Sequence, residues 1–256
     1  MARHVVSAAL LWVFLTALGE ASIFLDWFPS VGASEAEDFD RIFLVLLAMG
    51  FPVFAFVVAV LVYSMLEFKT KDPGETGATF VGRGLAPRVW IAITSALALL
   101  VMIYPGMTGL AELSKESGEG GWGEHDAELV VQVTGFRWAW KFDYPESGIS
   151  LLGAQEELVL PAETVVRFDI NSEDVVHSFW IPAFRMKIDA IPGRTTFFTV
   201  ETKEPGSYDT STVFRAQCAE LCGLDHSGMV TRVRVVTQEE FRDWVDSQTT
   251  AAARGQ

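Results

Sequence analysis

Two long runs without a charged residue stand out in the first half of the chain, at residues 42–66 and 89–111. Each is longer than the about 20 apolar residues that a helix needs to cross the hydrocarbon core of a bilayer. Helices buried in a soluble protein rarely continue this far without a polar face. We therefore predict two transmembrane helices, in which Pro52 and Pro105 produce a kink or lie near an end.

A third apolar stretch, at residues 5–28, is less uniform, because Glu20 and Asp26 interrupt its second half. An arginine at position 3 and small residues near positions 19–21 would also suit a signal peptide that is cleaved after about residue 21. We favour an uncleaved first helix, and the sequence leaves the cleavage open. The membrane anchor then comprises residues 1–111 with three transmembrane helices.

The charges of the connecting loops predict the orientation of these helices. Residues 67–88 carry four lysines and arginines, whereas residues 29–41 carry four acidic side chains and one arginine. The positive-inside rule places residues 67–88 and the N-terminus in the cytoplasm, and everything after residue 111 outside. We expect a multi-pass protein of a plasma or inner membrane.

The pattern changes after residue 111. Residues 112–126 are glycine-rich and charged, which indicates a linker. Short runs rich in β-branched and aromatic residues follow, separated by proline and glycine turns. They predict strands at 128–136, 138–144, 156–160, 164–170, 195–201 and 229–236. We predict an all-β sandwich or barrel at 127–237, and a C-terminal helix and tail at 238–256.

Composition and charge exclude several classes of protein. Half of the residues are hydrophobic and the formal net charge is −14. Residues 111–256 hold 24 acidic and 13 basic residues, a net charge of −11. An acidic domain on an apolar anchor excludes a simple soluble enzyme and a nucleic-acid binder, since phosphates require a basic face. With two cysteines, a disulfide-rich fold and an iron–sulfur site of four cysteines are also excluded.

Four potential metal ligands fall within 12 residues directly before the last predicted strand: Cys218, Cys222, His226 and Met229. His177 lies 41 residues before Cys218. Thiolate, imidazole and thioether together form a soft ligand set, which favours copper. Zinc would accept the cysteines and histidines but would gain nothing from the methionine.

The residues alone leave three arrangements open. One copper ion could be held as in a mononuclear blue-copper site, which leaves Cys218 unused. Two copper ions bridged by both thiolates would use every ligand, with the backbone carbonyl of Glu220 as the remaining axial donor. A disulfide between Cys218 and Cys222 would leave no thiolate for a metal, and an external location makes it a real alternative.

The pattern C-x-E-x-C-G-x-x-H-x-x-M at 218–229, after D-x-x-H-S at 174–178, resembles subunit II of cytochrome c oxidase. Residues 135–144 and 189–194 also resemble segments of that family, and the similarity runs from about residue 42 to the end. The resemblance implies a cupredoxin-like Greek-key barrel with a dinuclear CuA centre. It implies electron transfer from cytochrome c, or a similar basic donor, to haem in subunit I, where O2 is reduced to water with proton pumping. Subunits I and III and the lipid bilayer are the implied partners, and no nucleic acid.

The resemblance also implies a role for each matching position. The copper ligands would be His177, Cys218, Glu220 through its carbonyl, Cys222, His226 and Met229. The Glu220 carboxylate would also bind a magnesium ion shared with subunit I, and Trp138 would be the surface tryptophan that receives electrons. Asp189 and Arg194 would belong to a loop that faces subunit I and its haem propionates, although a surface ion pair is the alternative.

Some positions depart from the family pattern. The tyrosine usually found a few residues before the first cysteine is Tyr208, ten residues away, so residues 209–215 look like an insertion. Ala139 replaces an aromatic residue between two tryptophans, and Pro87 replaces a glutamate at the mouth of a proton channel. The first helix is not universal in the family.

Two other functions remain compatible with the sequence. The corresponding subunit of a CuA-containing nitric oxide reductase would have the same local site, because the catalytic haem–copper centre lies on another chain. A membrane-anchored copper carrier would need the ligands but neither Trp138 nor the loop at 189–194. The full set of copper ligands argues against subunit II of a quinol oxidase, which shares the fold but lacks these ligands.

Overall fold

The computed structural model describes residues 2–69, 72, 74, 84–109, 111, 121–122 and 127–254. The chain forms two compact units, Met1–Phe28 with Arg41–Leu110, and Pro29–Asp40 with Ala111–Gln256. Most of the predicted linker at 112–126 lies outside the described residues. The same holds for Lys71 and Arg83, on which the predicted orientation partly depends.

Three helices account for the apolar runs: α1 (Ala2–Ser22), α2 (Ser34–Glu67) and α3 (Leu85–Val101). All three are long and apolar enough to cross a membrane. Pro52 lies inside α2. A wider π-type turn at Met102–Met107 follows α3 and contains Pro105, and the backbone of Tyr104 is non-helical there. Both prolines therefore lie where the sequence predicts a local disturbance of the helix.

Several helix bounds differ from the prediction; α3, for example, extends over Leu85–Val101 rather than over residues 89–111, and the π-type turn follows it. The first helix ends at Ser22 rather than at residue 28, and the second begins at Ser34 rather than at residue 42. Glu35 and Glu37 occupy the first turn of α2, where carboxylates interact favourably with the helix dipole. Hydropathy detects the apolar part of a helix, so a polar first turn escapes it.

Among the described residues, the β domain has twelve strands in two sheets. They are β1 (Gly121–Trp122), β2 (Leu129–Phe136), β3 (Ala139–Tyr144), β4 (Ile149–Leu152), β5 (Leu158–Pro161), β6 (Val165–Ser172), β7 (His177–Ile181), β8 (Met186–Ala190), β9 (Thr196–Glu201), β10 (Gly206–Ser207), β11 (Arg215–Cys218) and β12 (Val230–Val236). One sheet has the order β1-β9-β6-β2-β3-β4. The other has the order β10-β12-β11-β7-β8, with β5 beside β12.

An aromatic core lies between the two sheets. Alternate residues of β3, namely Trp140, Phe142 and Tyr144, are fully buried, as expected for a strand with one face toward a core. Phe179 of β7 meets them from the other sheet, with its ring centroid 5.2 Å from that of Trp140 and 5.6 Å from that of Phe168. This packing fixes β7, whose first residue is His177, against the opposite sheet.

All six predicted strands are present, each within two residues of its predicted bounds. The sequence missed β4, β7, β8 and β11 among the longer strands. In β7 only Trp180 is partly exposed, so the strand lacks the alternation that marks a half-buried strand. Strand β11 has only four residues, too few for a periodic signal.

The predicted C-terminal helix is present as α4 (Gln238–Arg254). Thr237 precedes it, and the Glu240 carboxylate accepts hydrogen bonds from the N–H and hydroxyl of Thr237. The Thr237 hydroxyl in turn accepts from the Glu240 N–H, which completes a capping box. Trp244 packs against Tyr144 with ring centroids 5.3 Å apart.

The segment Pro29–Asp40, which the sequence assigns to the membrane anchor, groups with the β domain. The Gly32 N–H donates to the Ala183 carbonyl at 2.9 Å, and the Gly32 carbonyl accepts from the Lys203 N–H at 3.0 Å. The Arg185 guanidinium binds both carboxylate oxygens of Asp40 at 2.9 and 3.0 Å. Both side chains of this ion pair are nearly buried, which makes it part of the domain rather than a surface contact.

Candidate metal centre

Three neighbouring strands of one sheet carry the predicted ligands. His177 begins β7, Cys218 ends β11, and Met229 directly precedes β12. The Cys218 N–H donates to the Met229 carbonyl at 3.1 Å, which closes the base of the loop at 218–229. The Ala219 N–H donates to the Ser178 carbonyl at 2.9 Å, which ties the same loop to β7. The β ladder therefore brings His177 to a loop that is 41 residues away in sequence.

The two thiols lie at the middle of the cluster, with their Sγ atoms 3.8 Å apart. A disulfide requires about 2.05 Å, and both cysteines are free in this structure. Cys218 Sγ lies 3.8 Å from His177 Nδ1 and donates to the Glu220 carbonyl at 3.1 Å. The structure thus brings one thiol, one imidazole and one backbone carbonyl together.

A second set of the same size surrounds Cys222. Its Sγ lies 3.5 Å from His226 Nδ1 and 4.0 Å from Met229 Sδ. Donors that share one metal ion at about 2.0–2.3 Å lie about 3.3–3.8 Å apart in a tetrahedral site, so the thiol and imidazole spacings fit metal coordination. The slightly longer distance to Met229 suits a weak axial thioether.

Burial controls the chemistry of these donors. His177 and Met229 are fully buried and both cysteines are nearly so. Burial and the neighbouring Cys218 raise the pKa of the Cys222 thiol to about 11. Without a metal, the Cys222 thiol therefore keeps its proton at neutral pH. Because a metal binds the thiolate, metal uptake must release this proton.

The other side of the His177 ring meets Asp174 and Trp140. His177 Nε2 lies 2.9 Å from Asp174 Oδ1, and the Trp140 ring lies edge-on at a centroid distance of 6.0 Å. Gly135 makes this approach possible, because a Cβ there would lie 2.9 Å from the Trp140 ring. Partial burial opposes ionisation of Asp174, but hydrogen bonds from His177, Val175 and Arg137 outweigh it and hold its pKa well below the usual range.

Trp138 lies directly against the ligand loop. A Cβ built on Gly223, the residue after Cys222, would lie 3.2 Å from the Trp138 indole. Gly223 has a φ of 129°, which side chains other than glycine rarely adopt. The indole Nε1 is buried and has no hydrogen-bond partner among the described residues. Trp138 is therefore half-buried and in contact with the loop, whereas the residues alone favour an ordinary core aromatic.

Replacing Gly223 with alanine should strain the loop and displace the indole. We expect a loss of about 1–3 kcal/mol in unfolding free energy and a shifted indole N–H resonance of Trp138. The matched control is Gly148→Ala, which also changes a glycine with positive φ but has no atom within 4 Å of the new Cβ. A Trp138 resonance that moves equally in both variants would contradict the contact.

Asp189 lies in β8, and Arg194 lies in the turn that follows this strand, where its N–H donates to the Ile191 carbonyl at 3.2 Å. Asp189 pairs with Ser178 in the β7–β8 ladder, and both Asp189 and Arg194 have exposed side chains. The described residues include no ion pair between them, so the alternative of a mutual surface pair is not observed. The Glu220 carboxylate is likewise exposed, while its carbonyl faces the thiols.

The apparent insertion at 209–215 is packed into the β domain. Phe214 is buried, and a Cβ on Gly32 or Gly206 would lie within 3.0 Å of its ring. The Val213 carbonyl accepts a hydrogen bond from the Ala183 N–H at 3.1 Å. The extra residues therefore contribute to the core beside the segment Pro29–Asp40.

Asp174, Gly135 and Gly223 contact site residues but were given no role from the sequence. An aspartate three residues before a candidate histidine ligand is a usable signal, since metal-bound histidines commonly donate their second ring N–H to a carboxylate. The glycines carry no such signal, because their importance depends on tertiary contacts with Trp140, His177 and Trp138.

Comparison with known proteins identifies the family. Residues 145–236 match the family described as cytochrome c oxidase subunit II, periplasmic domain. The heme-copper oxidase subunit 2 of Aeropyrum pernix is 34% identical over 212 residues, which cover 78% of this chain and 86% of that protein. The probable cytochrome c oxidase subunit 2 of Rickettsia bellii is 29% identical over 229 residues, with 82% and 79% coverage.

Among solved structures, the periplasmic domain of subunit II of cytochrome oxidase from Bradyrhizobium japonicum is 36% identical to this chain. The match covers 50% of this chain and 97% of that domain, with a TM-score of 0.45. The predicted fold class, apolar N-terminal helices followed by a cupredoxin-like all-β domain, is confirmed. The extent and identity of the Aeropyrum match show that the chain belongs to the subunit II family of cytochrome c and related haem–copper oxidases.

Proposed function

We propose that this subunit receives electrons for a terminal respiratory oxidase through a dinuclear copper centre, the CuA type. When bound, the copper pair would accept single electrons from cytochrome c and pass them to haem in subunit I, for O2 reduction coupled to proton pumping. The observation that carries this proposal is the division of the donors into two equivalent sets, one around each thiol.

This division favours two metal ions over one. His177 and the Glu220 carbonyl accompany Cys218, while His226 and Met229 accompany Cys222; the two sulfurs are close enough to be shared. Each ion would then have one imidazole, one weak donor and both thiolates. A mononuclear site would leave Cys218 and the Glu220 carbonyl without a role.

Residues of this chain hold the ligand loop in place and shield most of the donor atoms from water. Backbone hydrogen bonds from Cys218 and Ala219 hold both ends of the loop to neighbouring strands, so the ligands need to move little when the charge changes. Burial excludes water from both thiols, His177 and Met229, whereas the His226 side chain is partly exposed. Trp138 packs against Gly223, is partly exposed, and would be the contact for the electron donor.

The net charge of the external part and three exposed charged side chains support a basic electron donor and a partner subunit. The acidic external part of the chain would attract a basic cytochrome c and speed its encounter. Asp189, Arg194 and the Glu220 carboxylate have no ion pair within the described residues, which suits a loop that meets subunit I, its haem propionates and a shared magnesium ion. The N-terminus would lie in the cytoplasm and the copper domain on the outer side, with subunit III in the complex.

Metal counting and electron paramagnetic resonance on the full-length chain, reconstituted with copper in detergent, test this proposal. Two coppers and a seven-line hyperfine pattern support it, because one electron shared equally by two copper nuclei gives that pattern. One copper with four lines would indicate a mononuclear carrier instead. No copper and an oxidised cysteine pair would end the electron-transfer proposal. Oxygen or nitric oxide uptake by the purified complex then separates an oxidase from a nitric oxide reductase.

Replacing Met229 with leucine should keep both copper ions but raise the reduction potential by on the order of tens of millivolts, because the site loses an electron-donating axial sulfur. Leucine has a similar volume, so the buried position should remain packed. Met186→Leu, on β8, is the matched control and should leave the potential and the visible spectrum unchanged. Complete loss of copper from Met229→Leu would contradict a weak axial role.

A further inference from the structure

Asp174 joins two groups that the sequence does not connect. Its Oδ2 accepts hydrogen bonds from the Arg137 Nε–H at 3.0 Å and from the Arg137 backbone N–H at 2.9 Å. Its Oδ1 lies 2.9 Å from His177 Nε2 and accepts from the Val175 N–H at 2.6 Å. Each carboxylate oxygen is therefore held by a different part of the domain.

The three groups form a line from the surface to the buried imidazole. The exposed fraction of the side chain falls from 51% for Arg137 to 22% for Asp174 and 0% for His177. Arg137 lies between β2 and β3 and directly precedes Trp138. Arg137 is thus half-exposed and adjacent in sequence to the proposed electron-accepting Trp138. Its guanidinium pairs with Asp174, which contacts the predicted metal ligand His177.

The contact with Asp174 also determines which ring nitrogen of His177 carries the proton. An ionised carboxylate can only accept hydrogen bonds, so the 2.9 Å contact requires the proton on Nε2. In a neutral imidazole with this proton position, Nδ1 presents its lone pair toward Cys218 Sγ, 3.8 Å away. If the carboxylate turned away, nothing else among the described contacts of Nε2 would favour this tautomer.

We propose that Arg137 is a positioning residue for His177: by holding the Asp174 carboxylate from the side opposite the imidazole, it keeps the Nε2–H tautomer and limits the negative charge that reaches the ring. This inference rests on the proposed function only in treating His177 as a copper ligand. It makes two separate predictions, one for the copper-free chain and one for the copper-loaded chain.

The first experiment measures the His177 tautomer in the copper-free, full-length chain. The chain has four histidines, so selective 15N-histidine labelling gives a simple spectrum in detergent and mildly alkaline buffer. We expect one tautomer with the proton on Nε2 in the wild type, and a mixture in Arg137→Gln and Asp174→Ala. Arg137→Lys, which keeps a cationic donor, should restore most of the wild-type spectrum.

Arg232→Gln is the matched control. Arg232 is 54% exposed and paired with Asp209 at 3.2 Å, so it resembles Arg137 in exposure and pairing but does not touch His177. It should leave the His177 nitrogen shifts unchanged. Arg137→Gln spectra identical to those of the wild type and Arg232→Gln would overturn the proposal and leave Arg137 as an ordinary surface ion pair.

The second experiment compares reduction potentials of copper-loaded full-length variants. Arg137→Gln removes a positive charge that offsets the charge of Asp174 and should lower the potential, whereas Asp174→Asn removes the negative charge and should raise it. A merely structural role would not produce shifts of opposite sign, so shifts of the same sign would overturn the proposal. If the chain binds no copper, the proposed function fails, while the tautomer experiment still decides the role of Arg137.

Discussion

Replacing either cysteine with serine is expected to abolish the seven-line resonance signal of the copper-loaded chain. Cys222 Sγ lies within 4.0 Å of three other predicted donors, those of Cys218, His226 and Met229. In the proposed arrangement both metal ions would share this sulfur, so its removal would leave each with too few soft ligands. The variants should hold at most one copper, measured by metal analysis on protein whose thermal unfolding shows that it remains folded.

The two substitutions are each other's control. A dinuclear site predicts that Cys218→Ser and Cys222→Ser have equally severe effects, because both thiolates would bridge. A mononuclear site that leaves Cys218 unused predicts that Cys218→Ser keeps its copper and a four-line signal, while Cys222→Ser loses the metal. One copper with a four-line signal in Cys218→Ser, together with complete loss of copper in Cys222→Ser, would therefore reject the bridged arrangement without affecting family membership.

Replacing Trp138 with alanine is expected to slow oxidation of reduced cytochrome c by about tenfold or more, equivalent to about 1.4 kcal/mol of added barrier. The indole is the aromatic contact between the loop residue Gly223 and the partly exposed surface. Its removal would leave solvent where donor and loop must approach. The copper content and visible spectrum should not change, because Trp138 supplies no ligand atom.

Stopped-flow oxidation of reduced cytochrome c by the purified complex measures this effect. Trp244→Ala is a suitable control, since Trp244 lies on α4 and packs against Tyr144 rather than the ligand loop. Trp138→Phe should fall between alanine and the wild type, because it keeps an aromatic ring in the gap. An unchanged rate in Trp138→Ala at equal copper content would remove this residue from the electron path.

Local spacing was sufficient to find the candidate ligands. The offsets among Cys218, Cys222, His226 and Met229 place them on one loop whatever the fold, and a soft donor set limits the metals that suit it. Spacing could not exclude a disulfide, because two cysteines separated by three residues are compatible with either outcome. The separation of the sulfurs at 3.8 Å depends on the backbone hydrogen bonds at the base of the loop.

The sequence pattern could not predict the contacts that form only when the chain folds. His177 reaches the loop only through the pairing of β7 with β11, and the sequence predicted neither strand. Trp138 reaches it because Gly223 adopts a positive φ and leaves room for the indole. The apolar helices, in contrast, follow directly from hydropathy. A sufficiently long apolar run predicts a transmembrane helix without any knowledge of its tertiary contacts.

The segment Pro29–Asp40 has a practical consequence for protein production. Ala33 is fully buried, and the backbone of Gly32 packs directly against the rings of Phe184 and Phe214. Asp40 forms an ion pair with the nearly buried Arg185. A secreted fragment cut at the start of the β domain would lack these residues, and would expose two phenylalanines and an uncompensated guanidinium. Such a truncation should aggregate or yield poorly, and a peptide spanning residues 29–40 added in trans, or fused through a short tether, should recover soluble material.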